Sequence, residues 1–210
     1  MAKIPEEQRL FELTKIERTF WESAVVVAGM DEVGRGPLAG PVVAACLVLP
    51  QAPLINGVND SKKLSAARRE SIYEQIVSLS PDYALAWVEP EVIDQINILE
   101  ATKLAFKQAY STLKQPVGDV LVDAVKGLDI PARQHSFVRG DQLSYLIAAA
   151  SILAKVERDR YMVRMDELYP QYGFARNKGY GTAEHISAIC EFGPCPLHRR
   201  SFIKKWAKDG

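Results

Sequence analysis

Four carboxylates fall where a folded chain places charge only at a cost. Asp31 and Glu32 end the apolar run VVVAGMDEV (25–33), Asp123 lies in VLVDA (120–124), and Asp141 follows Gly140 just ahead of an Ala-rich stretch. Ionised carboxylates beside a core are expensive unless they are paired or bind a metal. Several converging from different strands repel one another, and a divalent cation relieves that repulsion. Oxygen-only donors favour Mg²⁺ or Mn²⁺ over Zn²⁺. Mg²⁺ takes few protein carboxylates and keeps positions for water and phosphate, which suits phosphoryl chemistry. Any one of the four alone reads more simply as a turn residue or a helix cap, Asp141 included; the set of four carries the metal reading. Asp31 and Glu32 are adjacent, and neighbouring strand residues face opposite sides. Both side chains cannot reach one ion without a bend. One of them is then left to coordinate through its backbone carbonyl or to bind a second ion.

Gly34, Arg35 and Gly36 follow the acidic pair directly. Glycines let backbone N–H groups approach a phosphate or sugar closely, and Arg35 adds a fork of donors. The pattern alone is also that of an ordinary hairpin turn. It is not a nucleotide P-loop, since no GK[ST] opens a helix, nor a dinucleotide fingerprint, since a strand follows it. Beside the carboxylates it reads as a sugar–phosphate contact. NDSKKL places Lys62 and Lys63 in a loop, and NKGYGT places Lys178 and Tyr180 between glycines, where a tyrosine can stack on a sugar or base or simply pack inward. His185, Cys190, Cys195 and His198 match no common zinc spacing.

The elements that must position these groups can be read from periodicity. Residues 5–22 carry Leu10, Leu13, Phe20 and Trp21 at helical spacing, with Pro5 suited to the first turn. The runs 25–33 and 41–49 are buried strands, and a connection so short makes them antiparallel. A helix fits 65–79, with Ser65 as N-cap and Ile72, Ile76 and Leu79 on one face. Residues 82–90 alternate as a strand, 91–113 are helical in one or two pieces, 117–125 and 135–141 hold short strands, and 142–168 is a long helix. The tail is turn-rich, with helical pieces near 182–191 and 201–208. The expected architecture is α/β, a sheet of mixed strand directions covered on both faces, with a small C-terminal helical appendage.

Composition sets the outer limits. The 210 residues are 48% apolar and 25% charged, as in an ordinary folded domain. Three cysteines cannot build a disulfide framework, so a reducing compartment is expected. No signal peptide or spanning segment is visible, and the chain reads as cytoplasmic. The 26 basic and 26 acidic residues cancel, yet residues 171–210 hold seven Lys/Arg and three Asp/Glu. The zero therefore hides a basic tail, in which KGYGT and HRRSF are expected to meet a polyanion.

Taken together these segments resemble bacterial ribonuclease HII, the type 2 ribonuclease H family. The motifs are DEVGRGPLAGPVVAA (31–45), NDSKKLS (59–65), NILEAT (97–102), VLVDA (120–124), RGDQLSYLIAAASILAKVERD (139–159), YPQYGF (169–174), KGYGT (178–182) and HRRSF (198–202). The resemblance implies a ribonuclease H-like fold, a five-stranded mixed sheet flanked by helices. It implies cleavage of the RNA strand of RNA–DNA hybrids and of DNA duplexes carrying ribonucleotides, on the 5′ side of a ribonucleotide, leaving 3′-hydroxyl and 5′-phosphate. Such an activity serves ribonucleotide and RNA primer removal. It places two Mg²⁺ or Mn²⁺ ions on Asp31, Glu32, Asp123 and Asp141, and substrate on Gly34, Arg35, Gly36, Lys62 and Tyr180. Arg139 stands where the family usually has Lys, and Asn177 where His often precedes Lys-Gly-Tyr. The implied division is a helical extension (1–24), a catalytic unit (25–168) and a substrate-contacting segment (169–210), working as a monomer without a membrane. Two rivals are another two-metal nuclease on this fold, such as a junction resolvase or transposase-like core, and a non-catalytic nucleic-acid-binding module. The first leaves GRG and KGYGT without a role.

Overall fold

The β-branched run after residue 25 forms a strand that becomes the middle of the sheet. In this computed structural model, residues 4–22 and 25–206 are described. Strand β1 (Val27–Val33) pairs antiparallel with β2 (Val42–Val48), and β2 pairs antiparallel with β3 (Asp82–Val88). On its other edge β1 takes β4 (Asp119–Asp123) in parallel, and β4 takes β5 (Arg133–Phe137) in parallel. The order is β3-β2-β1-β4-β5, a five-stranded mixed sheet. The short Gly/Pro connection gives the antiparallel hairpin expected of it.

Alternation along β1 sorts side chains between two cores. Val27 joins Ala45, Leu47 and Leu121 under helix α5 (Tyr145–Leu168), together with Ile72 and Ile76 of α3 (Ala66–Leu79). Ala28 and Met30 join Ala44, Cys46, Val120 and Val122 under α4 (Pro90–Thr112), against Ala101, Ala105 and Phe106. Asp31 and Asp123 share the parity of Val27 and Leu121, so they belong to the α5 face; Glu32 shares that of Met30. The adjacent acids do therefore diverge, as the strand period requires.

Helix α5 is buried on nearly all sides from Tyr145 to Ala154. Its alanines let it lie close to the sheet, which is why that segment shows no amphipathic stripe. It starts later than residue 142. Asp141 sits instead in a 3-10 turn (Gly140–Gln142), and Ser144 is the cap, its Oγ accepting from Ile147 N. The α5 terminus is also held by buried Glu17, which accepts from Ser144 Oγ and, at 2.9 Å, from Leu146 N. Glu17 lies on α2 (Lys15–Trp21), which follows α1 (Glu6–Leu13) after a break at Thr14. Ser65 caps α3 as read. Helix α4 breaks once, at Asn97, whose φ is 69° and whose Oδ1 accepts from the N–H groups of Leu99 and Glu100.

The tail contributes α6 (Phe174–Asn177), α7 (Ala183–Phe192) and α8 (Arg200–Ile203). They close a third core around Leu38, Met162, Tyr172, Phe174 and Ile189. The helix expected over 201–208 ends at Ile203, and its residues 207–208 lie outside the described residues. No helix among the described residues is long and apolar enough to cross a membrane.

Candidate active site

The parallel β1–β4 pairing carries Asp31 and Asp123 to the same end of the sheet, because both strands run the same way and both acids lie near their C-terminal ends. The turn bearing Asp141 is tied to this end: Gly140 N donates to Asp123 Oδ1 at 2.7 Å. Asp31 is only 6% exposed and Asp141 only 5%. Burial raises Asp31 well above the carboxylate range, and the charges of Glu32, Asp123 and Asp141 push it the same way. Burial raises Glu32, which Arg35 opposes and Asp123 reinforces. Burial also raises Asp141, with Asp60 and Asp123 adding to it. The charge of Asp123 opposes the ionisation of all three.

Glu32 Oε1 lies 3.4 Å from Arg35 Nη1, and its Oε2 is buried without a hydrogen-bond partner. An orphaned carboxylate oxygen and a cluster of repelling acids fit a hard divalent cation. Among the described residues no three His, Cys, Asp or Glu side chains close into a ready-made cage. The backbone around the cluster is unusual. Ala124 and Arg139, next to the two carboxylate-bearing segments, both have positive φ, at 51° and 59°. Non-glycine residues pay of order 1 kcal/mol for this, and such residues gather at functional sites.

Gly34, Arg35 and Gly36 continue from β1 over the same end of the sheet. Tyr180 comes to them from the tail: a Cβ built on Gly36 would lie 4.0 Å from Tyr180 Cε1. The Tyr180 ring is 43% exposed, and Lys155 Nζ stands 6.0 Å from its centroid. Lys62, in the 3-10 turn Ser61–Lys63, places Nζ 3.9 Å from Asp141 Oδ2. Burial lowers Lys62, but Asp141, Asp31, Asp60 and Asp123 outweigh it and the net shift is upward. All nine candidate residues thus surround one end of the sheet.

The family profile described as ribonuclease HII matches residues 28–205. The chain is 49% identical over 204 residues to the ribonuclease HII of Caldanaerobacter subterraneus subsp. tengcongensis, covering 97% of this chain and 85% of that one. The chain belongs to the ribonuclease HII family. The Caldicellulosiruptor bescii ribonuclease HII is 46% identical, with 96% of this chain and 97% of that one covered. The crystal structure of ribonuclease H2 from Pyrococcus horikoshii OT3 superposes with a TM-score of 0.73 at 28% identity, over 85% of this chain and 95% of that one. The protein is a metal-dependent ribonuclease H that acts as an endonuclease on nucleic acid.

Three features of this ribonuclease HII depart from the sequence reading. The motif HRRSF does not meet a duplex as a block: His198 is 2% exposed and Arg199 fully buried, leaving Arg200 at the surface. Asp60, in the same NDSKK motif as Lys62, is a fifth buried acid beside Asp141, and its Oδ1 accepts from Lys62 N. Its signal was a lone acid ahead of two lysines, which reads as loop. Asn177 faces inward, its side chain bracing the loop between Tyr172 O and Gly179 N.

His185 and His198 form a buried pair with Nε2 to Nε2 at 3.0 Å. Cys190 is exposed and its thiol points to Trp206 O, so the four His/Cys side chains are not one ligand set. Tyr180 O takes the Nδ1 proton of His185, and Cys195 N donates to His198 Nδ1, so His198 Nε2–H donates to His185. Every partner is satisfied with both rings neutral. Burial, then His185, lowers His198 to about 4. The folded state keeps His198 neutral while the unfolded chain takes up a proton below about 6.5. Stability is therefore lost as pH falls from about 6.5 to about 4, by about 2 kcal/mol between pH 7 and pH 5. The raised carboxyls of Asp31, Glu32 and Asp141 act in the opposite direction over this range, so the decline is read as the difference between wild type and His198→Gln in denaturant titrations at both pH values. Wild type should lose about 2 kcal/mol more than the variant from pH 7 to pH 5, and the same pH dependence in both would contradict the neutral pair.

Proposed function

We propose that this ribonuclease HII cuts on the 5′ side of a ribonucleotide, either embedded singly in duplex DNA or within the RNA strand of a hybrid, leaving 3′-hydroxyl and 5′-phosphate ends. The observation that carries the reading is the junction of three features. The GRG loop touches Glu32 through Arg35 on one side and the exposed Tyr180 on the other, at the end of the sheet that carries the acidic cluster. The chemistry is phosphodiester hydrolysis, and its biological use is removal of ribonucleotides and RNA primers. We read the enzyme as a cytoplasmic monomer, its three cysteines free. Residues 25–168 carry the reaction and 169–210 contact the substrate, behind an N-terminal extension (1–24) whose described residues, 4–22, hold α1 and α2.

Asp31, Glu32, Asp123 and Asp141 would hold two Mg²⁺ or Mn²⁺ ions. When bound, such ions supply an activated water and stabilise charge on the leaving oxygen. The chain's own part is placement. Gly34 and Gly36 keep the loop free of side-chain bulk, so the backbone can approach the sugar and phosphate. Arg35 offers its guanidinium to the backbone, partly neutralised by Glu32. The 2′-hydroxyl distinguishes a ribonucleotide from its DNA neighbours, and the loop is where it would be read. Tyr180 would stack on the adjoining deoxyribose, and Lys62 would meet a phosphate near Asp141.

The decisive measurement uses two matched duplexes, one all DNA and one with a single ribonucleotide, with and without Mg²⁺ or Mn²⁺. Cleavage of the ribonucleotide duplex alone, at its 5′ side and only with metal, is expected. Equal cleavage of both duplexes would turn the assignment toward another nuclease of this fold. Tyr180→Ala should lower cleavage of the single-ribonucleotide substrate by about tenfold, consistent with the roughly 1–3 kcal/mol of one stacking contact. The Mg²⁺ dependence should stay unchanged, and a shift in it would refute the stacking role.

A further inference from the structure

The segment 34–41 is held from beneath by two buried arginines. Arg158, on α5, donates from Nε to Pro41 O at 3.0 Å, from Nη2 to Ala39 O at 3.0 Å and from Nη1 to Lys178 O at 2.9 Å. Arg199 donates from Nη2 to Gly34 O at 2.5 Å, from Nη1 to Arg35 O at 3.0 Å and to Pro37 O at 2.9 Å. Its Nε and Nη2 both reach Gly40 O, at 3.0 and 2.7 Å. Both guanidiniums are fully buried, and all these bonds go to main-chain carbonyls. A charge in this position is expensive, and packing alone does not call for it.

What the fork does follows from peptide geometry. In a planar trans peptide the C=O and N–H point to opposite sides. Arg199 draws the carbonyls of Gly34 and Arg35 inward, so the N–H groups of Arg35 and Gly36 turn outward. Neither N–H has a hydrogen-bond partner within the described protein. Two successive amides facing one way make a small anion-binding concavity. Gly34 makes the first turn possible, with φ at +94°. The guanidinium beneath adds positive charge on the same side.

We infer that Arg199 is a positioning residue for ribonucleotide recognition: its planar fork orients the two peptide units whose amides bind the phosphate or 2′-hydroxyl at the cleavage step. This rests on the reading of GRG as the substrate loop. Arg199 touches no substrate and acts only through that loop. Lysine keeps the charge at this place but cannot hold both carbonyls in one plane.

The test compares wild type, Arg199→Lys and Gly36→Ala on a duplex with one ribonucleotide, in Mg²⁺, below the unfolding transition of each. A Cβ at Gly36 would meet only Tyr180 Cε1 within 4 Å, at an ordinary contact distance of 4.0 Å, so Gly36→Ala should fold normally and cap the amides. Both variants should lose about tenfold or more in kcat/KM, as a displaced contact does. The Mg²⁺ concentration for half activity should stay within about twofold of wild type, since the acids are untouched. Arg199→Ala should regain activity when millimolar guanidinium is added and not when ammonium is. Folded Arg199→Lys with wild-type kcat/KM, beside an impaired Gly36→Ala, overturns the inference and leaves the loop reading standing. A fully active Gly36→Ala overturns the loop reading itself. If neither Arg199 variant folds, with or without guanidinium, its role is structural and the inference fails.

Discussion

Asp31→Asn should reduce cleavage by about a thousandfold or more, roughly 4 kcal/mol of barrier, while making the metal-free protein more stable. Asparagine keeps the shape and the Oδ1 that accepts Glu32 N at 2.8 Å. It removes the charge, and the charge is what burial and three neighbouring acids oppose. A carboxyl raised in the folded state gives stability that is present at low pH and lost as pH rises through its folded value. The amide carries no such charge, so the variant gains stability over wild type as pH rises. Mg²⁺ should stabilise wild type more than the variant, narrowing the gap. Thermal melts in chelator and in Mg²⁺, beside a cleavage assay, check both halves. Undiminished cleavage, or a lower melting temperature in chelator, would remove Asp31 from the proposed centre.

Gly29→Ala should be the most damaging single methyl in the core. A Cβ there would fall within 3.0 Å of the carbonyl carbon, carbonyl oxygen and Cβ of Leu146. Two of these are backbone atoms of α5, so no side chain can swing away. The helix must lift from β1, opening the layer that holds Val27, Leu121 and Leu146 together. The cost is about 3 kcal/mol or more, and the melting temperature falls by roughly 10 °C for a chain of this size. Gly36→Ala is the control, with no expected change in the melt. The close-approach account fails if the two alanine variants melt together.

The same residues show how far the sequence could be read. Strands were legible because their apolar runs are bounded by turns, and the β1–β2 direction followed from a connection too short for a crossover. The four acids stood out by their place against apolar runs: Asp31 and Glu32 end one, Asp123 lies within another, and Asp141 precedes a third. The cap at Ser65 was visible, and Asn97-x-x-Glu100 carried the signature of the α4 break, which the surrounding helical composition masked. Arg158 and Arg199 were not legible. A buried arginine looks like a surface one in sequence, and backbone carbonyls leave no pattern by which its partners could be named. Glu17 was hidden for a related reason, since it holds the start of α5 from 127 residues away in the chain, at Ser144. Asp60 was concealed among neighbouring charges, though the fold buries it beside Asp141.

The pinning of Gly34, Arg35 and Gly40 by Arg199 also fixes an order in time. Synthesis runs from the N-terminus, at about 5–20 residues per second. The GRG loop leaves the ribosome early, Asp123 and Asp141 much later, and the guanidinium that sets the loop later still. β1 cannot complete its sheet before β4 arrives to pair Val27 with Asp119. The first part of the centre to be made is thus the last to be set. A nascent chain therefore holds no finished site until its C-terminal segment has emerged and Arg199 has closed on the loop.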